Sequence, residues 1–231
     1  MTVKSKVPGA LLSRRAFVVG GSVALAGCQT AAGPSPQLTN AAADPYYLEM
    51  YAAMPDERFP IPAVDLTKVD AKFLRREVDY ETKSIVGTII VDTAGPYLYF
   101  VRPKGKAIRY GIGVGRAGFS WSGDAKILMK REWPTWTPPA EMIARQPELE
   151  KYRKGQKPGL DNPLGARALY LFENGRDTLY RLHGTNQPWS IGKYVSSGCI
   201  RLLNQDIIDL YLRTARGTDV IVIEQDQSLI G

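Results

Sequence analysis

Short apolar runs, separated by clusters of turn-forming residues, fill the chain from about residue 84 onward. Their alternation and their content of Ile, Val, Leu and Tyr predict strands. The predicted strands are Ile85–Val91, Tyr97–Arg102, Ala107–Val114, Ala125–Arg131, Ala168–Phe172, Thr178–Leu182 and Asp219–Glu224. The cluster Glu173–Asp177 joins two of them into a hairpin, with His183 where the second strand ends. The pattern favours a mainly β fold with short helices, a mixed sheet closed as a β-sandwich or barrel-like form.

Helical patterns are few and short. Pro138-Pro139 opens a helical piece through Met142 and Ile143. Asn204 is expected to cap a helix over Gln205–Ala215, which Gly217 would end.

The region before residue 84 has a different character. Residues 29–45 are rich in Ala, Pro, Gly, Thr and Ser and are typical of a linker. Residues 46–80 predict a short helix and an extended arm packed on the following domain. The expected organisation is a signal over 1–28, a linker and N-terminal arm over 29–83, and a β-rich domain over 84–226.

The N-terminus has the features of an export signal. Ala16–Gly27 is apolar and uncharged, but its twelve residues fall short of the roughly 20 that span a bilayer. Ser13–Val18 resembles a twin-arginine signal, and Leu25–Cys28 resembles a lipobox, in which Cys28 would be acylated. The alternative is an ordinary cleaved signal with an incidental cysteine. We therefore expect export to the periplasm or cell envelope, with membrane anchoring if Cys28 carries lipid.

The net charge of +7 depends largely on this signal. Residues 1–27 hold four basic side chains and no acidic one, so their removal leaves 26 basic against 23 acidic residues. An excess of that size gives little support to nucleic-acid binding.

His183 is the sole histidine, and it lies sixteen residues before Cys199. A thiol, with a reference pKa of about 8.5, becomes a strong nucleophile when an imidazole takes its proton or holds its thiolate as an ion pair. The pair therefore predicts acyl transfer through a thioester. If Cys28 carries lipid, a Cys28–Cys199 disulfide is excluded; otherwise that disulfide is the alternative. A packed histidine and a small apolar cysteine are the structural alternatives.

Other residues near Cys199 suit the same chemistry. The backbone N–H groups of Gly198 and Cys199, and also of Ser197, are candidate donors to an oxyanion. Arg201 would share a face with Cys199 in an extended segment, where it could lower the thiol pKa or bind a carboxylate; a structural ion pair is its alternative. One histidine and one cysteine fall short of the three or four ligands of a zinc site, so neither metal nor cofactor is expected.

The run from His183-Gly184 to Ser196–Arg201 resembles the motif of the YkuD-type catalytic domain of L,D-transpeptidases, enzymes of bacterial cell-wall assembly. Stretches Glu132–Pro139, Asn162–Gly165 and Ser190–Gly192 are similar as well, so the resemblance covers about residues 84–224.

The resemblance implies that Cys199 is the nucleophile, His183 the base, and Arg201 the basic position after the nucleophile. A backbone carbonyl orients the histidine in this family, and Gly184 is the nearest candidate. Many members have a second histidine where this chain has Ser197, so all base function would fall to His183.

The implied activity is a peptidoglycan L,D-transpeptidase whose partners are a donor tetrapeptide stem and an acceptor amine, without ATP or metal. The implied product is a 3→3 cross-link. Water as acceptor would make an L,D-carboxypeptidase, and an envelope protein as acceptor would make an anchoring enzyme. A wall-binding lipoprotein without catalysis is the alternative outside enzymology.

Overall fold

The computed structural model describes residues 42–115, 121–196 and 198–223. The predicted signal, Cys28, most of the linker, Ser197 and Glu224 lie outside these residues.

Strands dominate the described chain. In chain order they are β1 (Arg76–Asp79), β2 (Ile89–Asp92), β3 (Tyr97–Arg102), β4 (Lys106–Gly111), β5 (Val114–Gly115), β6 (Gly123–Glu132), β7 (Arg167–Glu173), β8 (Arg176–His183), β9 (Tyr194–Ser196), β10 (Ile200–Arg201) and β11 (Asp219–Ile223). Over the described ranges, nine of them form one sheet in the order β1-β4-β3-β2-β11-β6-β7-β8-β10, while β5 and β9 pair separately. The pairs β2–β11, β8–β10 and β5–β9 are parallel and the other pairs are antiparallel.

The sheet curls until its two sides are bridged. Gly113, just after β4, exchanges two backbone hydrogen bonds with Arg201 of β10, at 2.9 and 2.8 Å. Since β4 and β10 lie near opposite ends of the strand order, this bridge gives the sheet a barrel-like form. The predicted mainly β fold with short helices is confirmed.

The core lies between the sheet and a helix that follows β10. That helix, α3 (Asn204–Arg213), buries Ile207 and Leu210 against strand side chains. The strand side chains of this core include Ile89, Val91, Leu98, Ile127, Leu169, Leu171, Leu182, Ile200 and Val220. Burying one such side chain contributes about 1.5–3 kcal/mol, which holds β8 and β10 in place.

The predicted cap of α3 is wrong. Leu203 precedes the first turn, and Asn204 is the first helical residue. The Asn204 side chain instead accepts from Ala166 N–H at 3.0 Å and donates to Thr185 O at 3.2 Å. Its amide thus ties the loop after His183 to the segment before β7. The helix also ends at Arg213, two residues before the predicted Ala215.

Two predicted strands have different limits. The run from Ile85 begins as a turn, in which Thr88 N–H donates to Ile85 O and Gly87 has a φ of +94°, so β2 starts only at Ile89. The run Ala107–Val114 is interrupted after Gly111, because Gly113 turns to pair with β10. The hairpin of β7 and β8 and the strand β3 agree with the prediction.

The arm packs on the sheet. It contains α1 (Pro45–Met50), two 3-10 turns and β1, which pairs antiparallel with β4. A second apolar cluster joins it to the loop between β8 and β9 and to Leu203; its arm members are Tyr47, Tyr51, Leu66, Val69, Phe73 and Leu74. A second short helix, α2 (Ala140–Arg145), lies where Pro139 was expected to begin one.

Candidate active site

The parallel pair β8–β10 determines which side chains meet. Leu182 pairs with Ile200 and His183 with Arg201. Paired residues share a face, so Leu182 and Ile200 point into the core while His183 and Arg201 lie on the opposite face. Cys199 directly precedes Ile200, and its thiol donates to Leu179 O of β8 at 3.8 Å. The fold therefore brings the segments that hold the predicted nucleophile and base together at two neighbouring strands.

His183 is the last residue of β8 and is almost fully buried. Its Nδ1 lies 2.5 Å from Gly184 O. Because a carbonyl only accepts, this contact assigns the proton to Nδ1 and leaves the lone pair on Nε2. That is the tautomer required of a base, and the carbonyl is the one suggested by the sequence.

Gly184 has no room for a larger residue. A Cβ there would lie 2.3 Å from Asn204 Oδ1. The same amide oxygen crowds Gly165, whose φ of +61° also favours glycine. Two glycines and Asn204 thus fix the backbone turn that presents the carbonyl to His183.

Burial controls the charge states of the pair. Burial and, after it, the positive charge of Arg201 lower the pKa of His183 to about 3, against the Gly184 contact, which raises it. Burial also raises the pKa of the Cys199 thiol, although the Arg181 N–H and the charges of Arg181 and Arg201 oppose that rise. Both groups are therefore neutral at pH 7. Of the two ways to activate a thiol, this geometry favours proton transfer during attack over a preformed ion pair.

Gly198 is buried and has a φ of +120°, a conformation that glycine adopts without steric cost. This backbone turn directly precedes the thiol. The assignment of Gly198 and Cys199 N–H groups as oxyanion donors stays a prediction, and Ser197 lies outside the described residues.

Arg201 is partly buried and donates from Nη1 to Gln187 Oε1 at 2.9 Å. Within the described residues no ion pair of Arg201 is formed. The structural ion pair considered from sequence is thus not formed among the described residues, and substrate binding by Arg201 stays a prediction.

Arg181 and Asp177 were missed by the sequence reasoning. Arg181 lies two residues before His183 on β8, so it shares the same face. It forms a two-pronged ion pair with Asp177 at 2.7 and 2.8 Å, and its guanidinium lies 4.4 Å from the centre of the Tyr170 ring. Period-two alternation back from His183 would have found Arg181, but the Asp177 contact depends on an irregular strand.

The described residues contain no group of three or more His, Cys, Asp or Glu placed to hold a metal ion. Nor does any helix among them combine the length and apolar character that crossing a membrane requires.

Comparison with known proteins identifies relatives of this fold. The YkuD family, described as the L,D-transpeptidase catalytic domain, matches residues 87–222. The probable L,D-transpeptidase YbiS of Escherichia coli K12 is 39% identical over 150 residues, covering 59% of this chain and 44% of YbiS. The chain thus spans less than half the length of that relative.

Two of the similar solved structures are from Brucella melitensis and Enterococcus faecium. A crystal structure from Brucella melitensis, titled a probable carnitine operon oxidoreductase, is 46% identical and covers 66% of this chain and 94% of its own, with a TM-score of 0.47. An L,D-transpeptidase from Enterococcus faecium is 15% identical and covers 60% of this chain and 50% of its own, with a TM-score of 0.43.

Proposed function

Because the chain belongs to the YkuD family of L,D-transpeptidase catalytic domains, we propose that it is a peptidoglycan L,D-transpeptidase that forms 3→3 cross-links through a thioester on Cys199. The observation that supports this most directly is the contact between His183 Nδ1 and Gly184 O. It supports an imidazole that keeps its lone pair on Nε2, at the strand pair that Cys199 directly precedes.

In the first half-reaction, the thiol of Cys199 attacks the carbonyl of the third residue of a donor tetrapeptide stem. His183 Nε2 takes the thiol proton as the sulfur–carbon bond forms. The carbonyl oxygen becomes an oxyanion, which the N–H groups of Gly198 and Cys199 would receive; one such donor is typically worth about 3–4 kcal/mol of barrier. The carbon–nitrogen bond then breaks, and His183 returns the proton to the departing amine of D-alanine.

In the second half-reaction, the amine of another stem attacks the thioester. His183 accepts the amine proton and passes it to the sulfur as the thiol leaves. One peptide bond is broken and another is made, so no ATP is consumed. Water in place of the amine would give a tripeptide instead of a cross-link, which is the carboxypeptidase outcome.

The low pKa of His183 determines its charge at the start of this cycle. A base with a pKa of about 3 is unprotonated at the start of each turnover. It is a weak acceptor at rest, but the charges of Arg181 and Arg201 favour the thiolate that forms beside it. Arg201 is also the candidate group for holding a substrate carboxylate.

We further propose that the protein acts in the cell envelope, anchored by lipid on Cys28. Stem peptides occur there, and the sequence Leu25–Cys28 resembles a lipobox. Replacing Cys28 with serine should release the protein from the membrane fraction. A wild-type protein found wholly in the soluble periplasmic fraction would contradict the anchor without touching the catalytic proposal.

The test of the activity uses purified full-length protein and disaccharide tetrapeptide. We expect release of D-alanine and dimers whose mass fits a 3→3 link. Cys199→Ala should abolish both, while the matched cysteine variant Cys28→Ser should retain them. His183→Ala should lower the rate by about 10²–10⁴-fold, as expected of a lost general base.

The products separate the competing functions. Tripeptide without dimers would replace transfer with hydrolysis. Transfer to an added envelope protein instead of a stem would replace cross-linking with anchoring. Full activity in Cys199→Ala would refute the thioester mechanism, and no D-alanine release by the wild type would leave only a wall-binding role.

A further inference from the structure

Strand β8 contains a bulge beside the thiol. Tyr170 pairs with Arg181 and Phe172 pairs with Asp177, so Leu171 alone faces the three residues 178–180. Such a local insertion interrupts the ladder and redirects side chains, and bulges are frequent next to active sites. The middle residue of this bulge is Leu179.

Leu179 has an unfavourable backbone conformation. Its φ is +65°, in the left-handed region where the Cβ of any L-residue crowds the following carbonyl oxygen. Asp177 holds it there, because Asp177 Oδ1 accepts from Leu179 N–H at 2.8 Å. Thr178 supports the same turn, donating to Leu171 O at 2.7 Å and accepting from Tyr180 N–H at 3.2 Å. Glycine or asparagine would fit this position with less strain.

The side chain of Leu179 is largely exposed to solvent. It is 75% exposed, although the residue lies directly at the nucleophile: the Cys199 thiol donates to Leu179 O at 3.8 Å. A single exposed leucine on a protein surface is ordinary. An exposed leucine kept in a left-handed conformation, with its carbonyl against the reactive sulfur, combines strain with position in the way that functional sites do.

We propose that Leu179 is a specificity-determining residue whose side chain packs against the aliphatic part of the donor peptide beside the scissile bond. This inference rests on the proposed function. The stem on either side of that bond carries a methyl group and a methylene chain, which are apolar surfaces that a leucine at the rim of the site would cover. Covering them removes apolar area of both partners from water and positions the carbonyl over the thiol.

Substitution of Leu179 by glycine or by alanine distinguishes the effect of the side chain from the effect of the backbone strain. Leu179→Gly removes both, whereas Leu179→Ala removes the side chain and keeps a Cβ in the left-handed region. We expect both variants to lower kcat/KM for disaccharide tetrapeptide by about tenfold, mainly through KM, as for a lost apolar contact. Only the glycine variant should gain stability, with a Tm about 2–4 °C higher if it recovers about 1 kcal/mol.

Two control variants match these changes away from the site. Lys104→Gly relieves another left-handed residue, with a φ of +62°, in the turn between β3 and β4. Leu212→Ala removes a leucine that is 78% exposed on α3. Neither control should change KM, and Lys104→Gly should raise Tm in the same way as Leu179→Gly.

Alkylation of Cys199 by iodoacetamide, mapped by mass spectrometry, tests whether the nucleophile is intact. The rate of alkylation should stay within about twofold of the wild-type rate in all four variants. Slower alkylation in Leu179→Gly with unchanged KM would assign Leu179 to holding the thiol and overturn the proposal. Unchanged KM in both Leu179 variants, in a wild-type enzyme that releases D-alanine, would overturn it as well. A wild type that releases no D-alanine would instead refute the proposed function itself.

Discussion

Burial and two arginines set the protonation of the sole histidine. The imidazole of His183 is almost fully buried, so its charged form loses hydration, and the positive charges of Arg201 and Arg181 oppose protonation further. The Gly184 carbonyl acts in the other direction because it stabilises a proton on Nδ1. The first two effects dominate, and the pKa falls to about 3.

The sole histidine allows a direct measurement, since its ring gives a single set of imidazole NMR signals. We expect the His183 signals of the wild type to keep the neutral form from pH 7 to at least pH 5. Arg201→Gln should raise the pKa of His183, because it removes a positive charge on the same face. Arg201→Lys keeps that charge and should shift the pKa less.

A midpoint near the ordinary value of about 6.5 in the wild type would contradict this account. It would restore the ion-pair alternative, in which a protonated His183 holds a thiolate on Cys199. Loss of catalysis on the acid side of neutrality would be expected in that case. With a neutral imidazole, the acylation rate should instead stay level between pH 7 and 5.

The candidate catalytic residues were accessible to sequence reasoning, and the residues around them were less so. His183 and Cys199 are found because they are rare residue types within a short motif, whereas the Gly184 carbonyl was implied by the family resemblance. Asn204 was assigned to a helix cap because asparagine favours that position. Its amide instead forms hydrogen bonds with Ala166 and Thr185. These contacts join segments that are distant in sequence, so a rule based on neighbouring residues does not predict them.

The loop between β8 and β9 joins the base to the segment of the nucleophile, and the arm supports it. Phe73 of the arm lies beneath Gly192, where a Cβ would come within 2.0 Å of the Phe73 ring. Ile191 belongs to the same apolar cluster. This packing makes the arm a structural support of the site, even though the family match begins only at residue 87.

Gly192→Ala tests this support. Gly192 has a φ of +79°, so alanine would be strained by its backbone and would also overlap the ring of Phe73. We expect the free energy of unfolding to fall by about 2–4 kcal/mol, which combines a left-handed residue with overpacking. Denaturant titration followed by circular dichroism measures the change.

Gly175→Ala is the matched control for that substitution. Gly175 has a φ of +75° in the turn between β7 and β8, and a Cβ there would meet no atom within 4 Å. It should therefore destabilise by only about 1–2 kcal/mol, the contribution of the backbone alone. Equal losses in the two variants would show that the contact with Phe73 contributes nothing.

Regular elements followed the sequence pattern, and their irregularities did not. The hairpin of β7 and β8 was predicted closely, because alternation and a turn cluster agree. The bulge around Leu179 was not, since the side chains of Asp177 and Thr178 create it by binding backbone groups. The late start of β2 is indicated by Gly87, but the surrounding Ile and Val residues favoured a strand from Ile85.

Across the whole molecule, buried charges join the arm to the catalytic region. Glu57 of the arm accepts from both terminal nitrogens of Arg167, at 2.6 and 3.0 Å, and from Trp133 Nε1 at 2.9 Å. Tyr51 OH donates to the fully buried Asp206 of α3 at 3.2 Å and accepts from Arg75 N–H at 2.6 Å. The arm is thus held to the molecule by groups whose charge depends on pH.

The two carboxyls respond to pH in opposite directions. Burial raises the pKa of Asp206 to about 7, despite the opposing charge of Arg75 and the Tyr51 hydrogen bond. The folded state then binds this proton below pH 7, whereas the unfolded state binds it only below about 3.9. The stability from Asp206 is therefore complete below pH 3.9 and lost as the pH rises to 7. Burial alone would raise the pKa of Glu57, but the contacts with Arg167 and Trp133 outweigh it and lower that pKa, so the stability from Glu57 is present at neutral pH and lost in acid.

Asp206→Asn removes one of these dependences. The free energy of unfolding of the variant, relative to that of wild type, should be highest near pH 8. It should fall toward pH 4, by up to about 1.4 kcal/mol per pH unit. Glu57→Gln should show the reverse trend: its free energy of unfolding should lie furthest below that of wild type at pH 7 and approach it below about pH 4. Urea titrations at each pH give these differences. A constant difference in the free energy of unfolding between Asp206→Asn and wild type from pH 4 to 8 would contradict this prediction. It would mean that Asp206 has the same pKa in the folded and unfolded states, because Arg75 fully offsets the effect of burial.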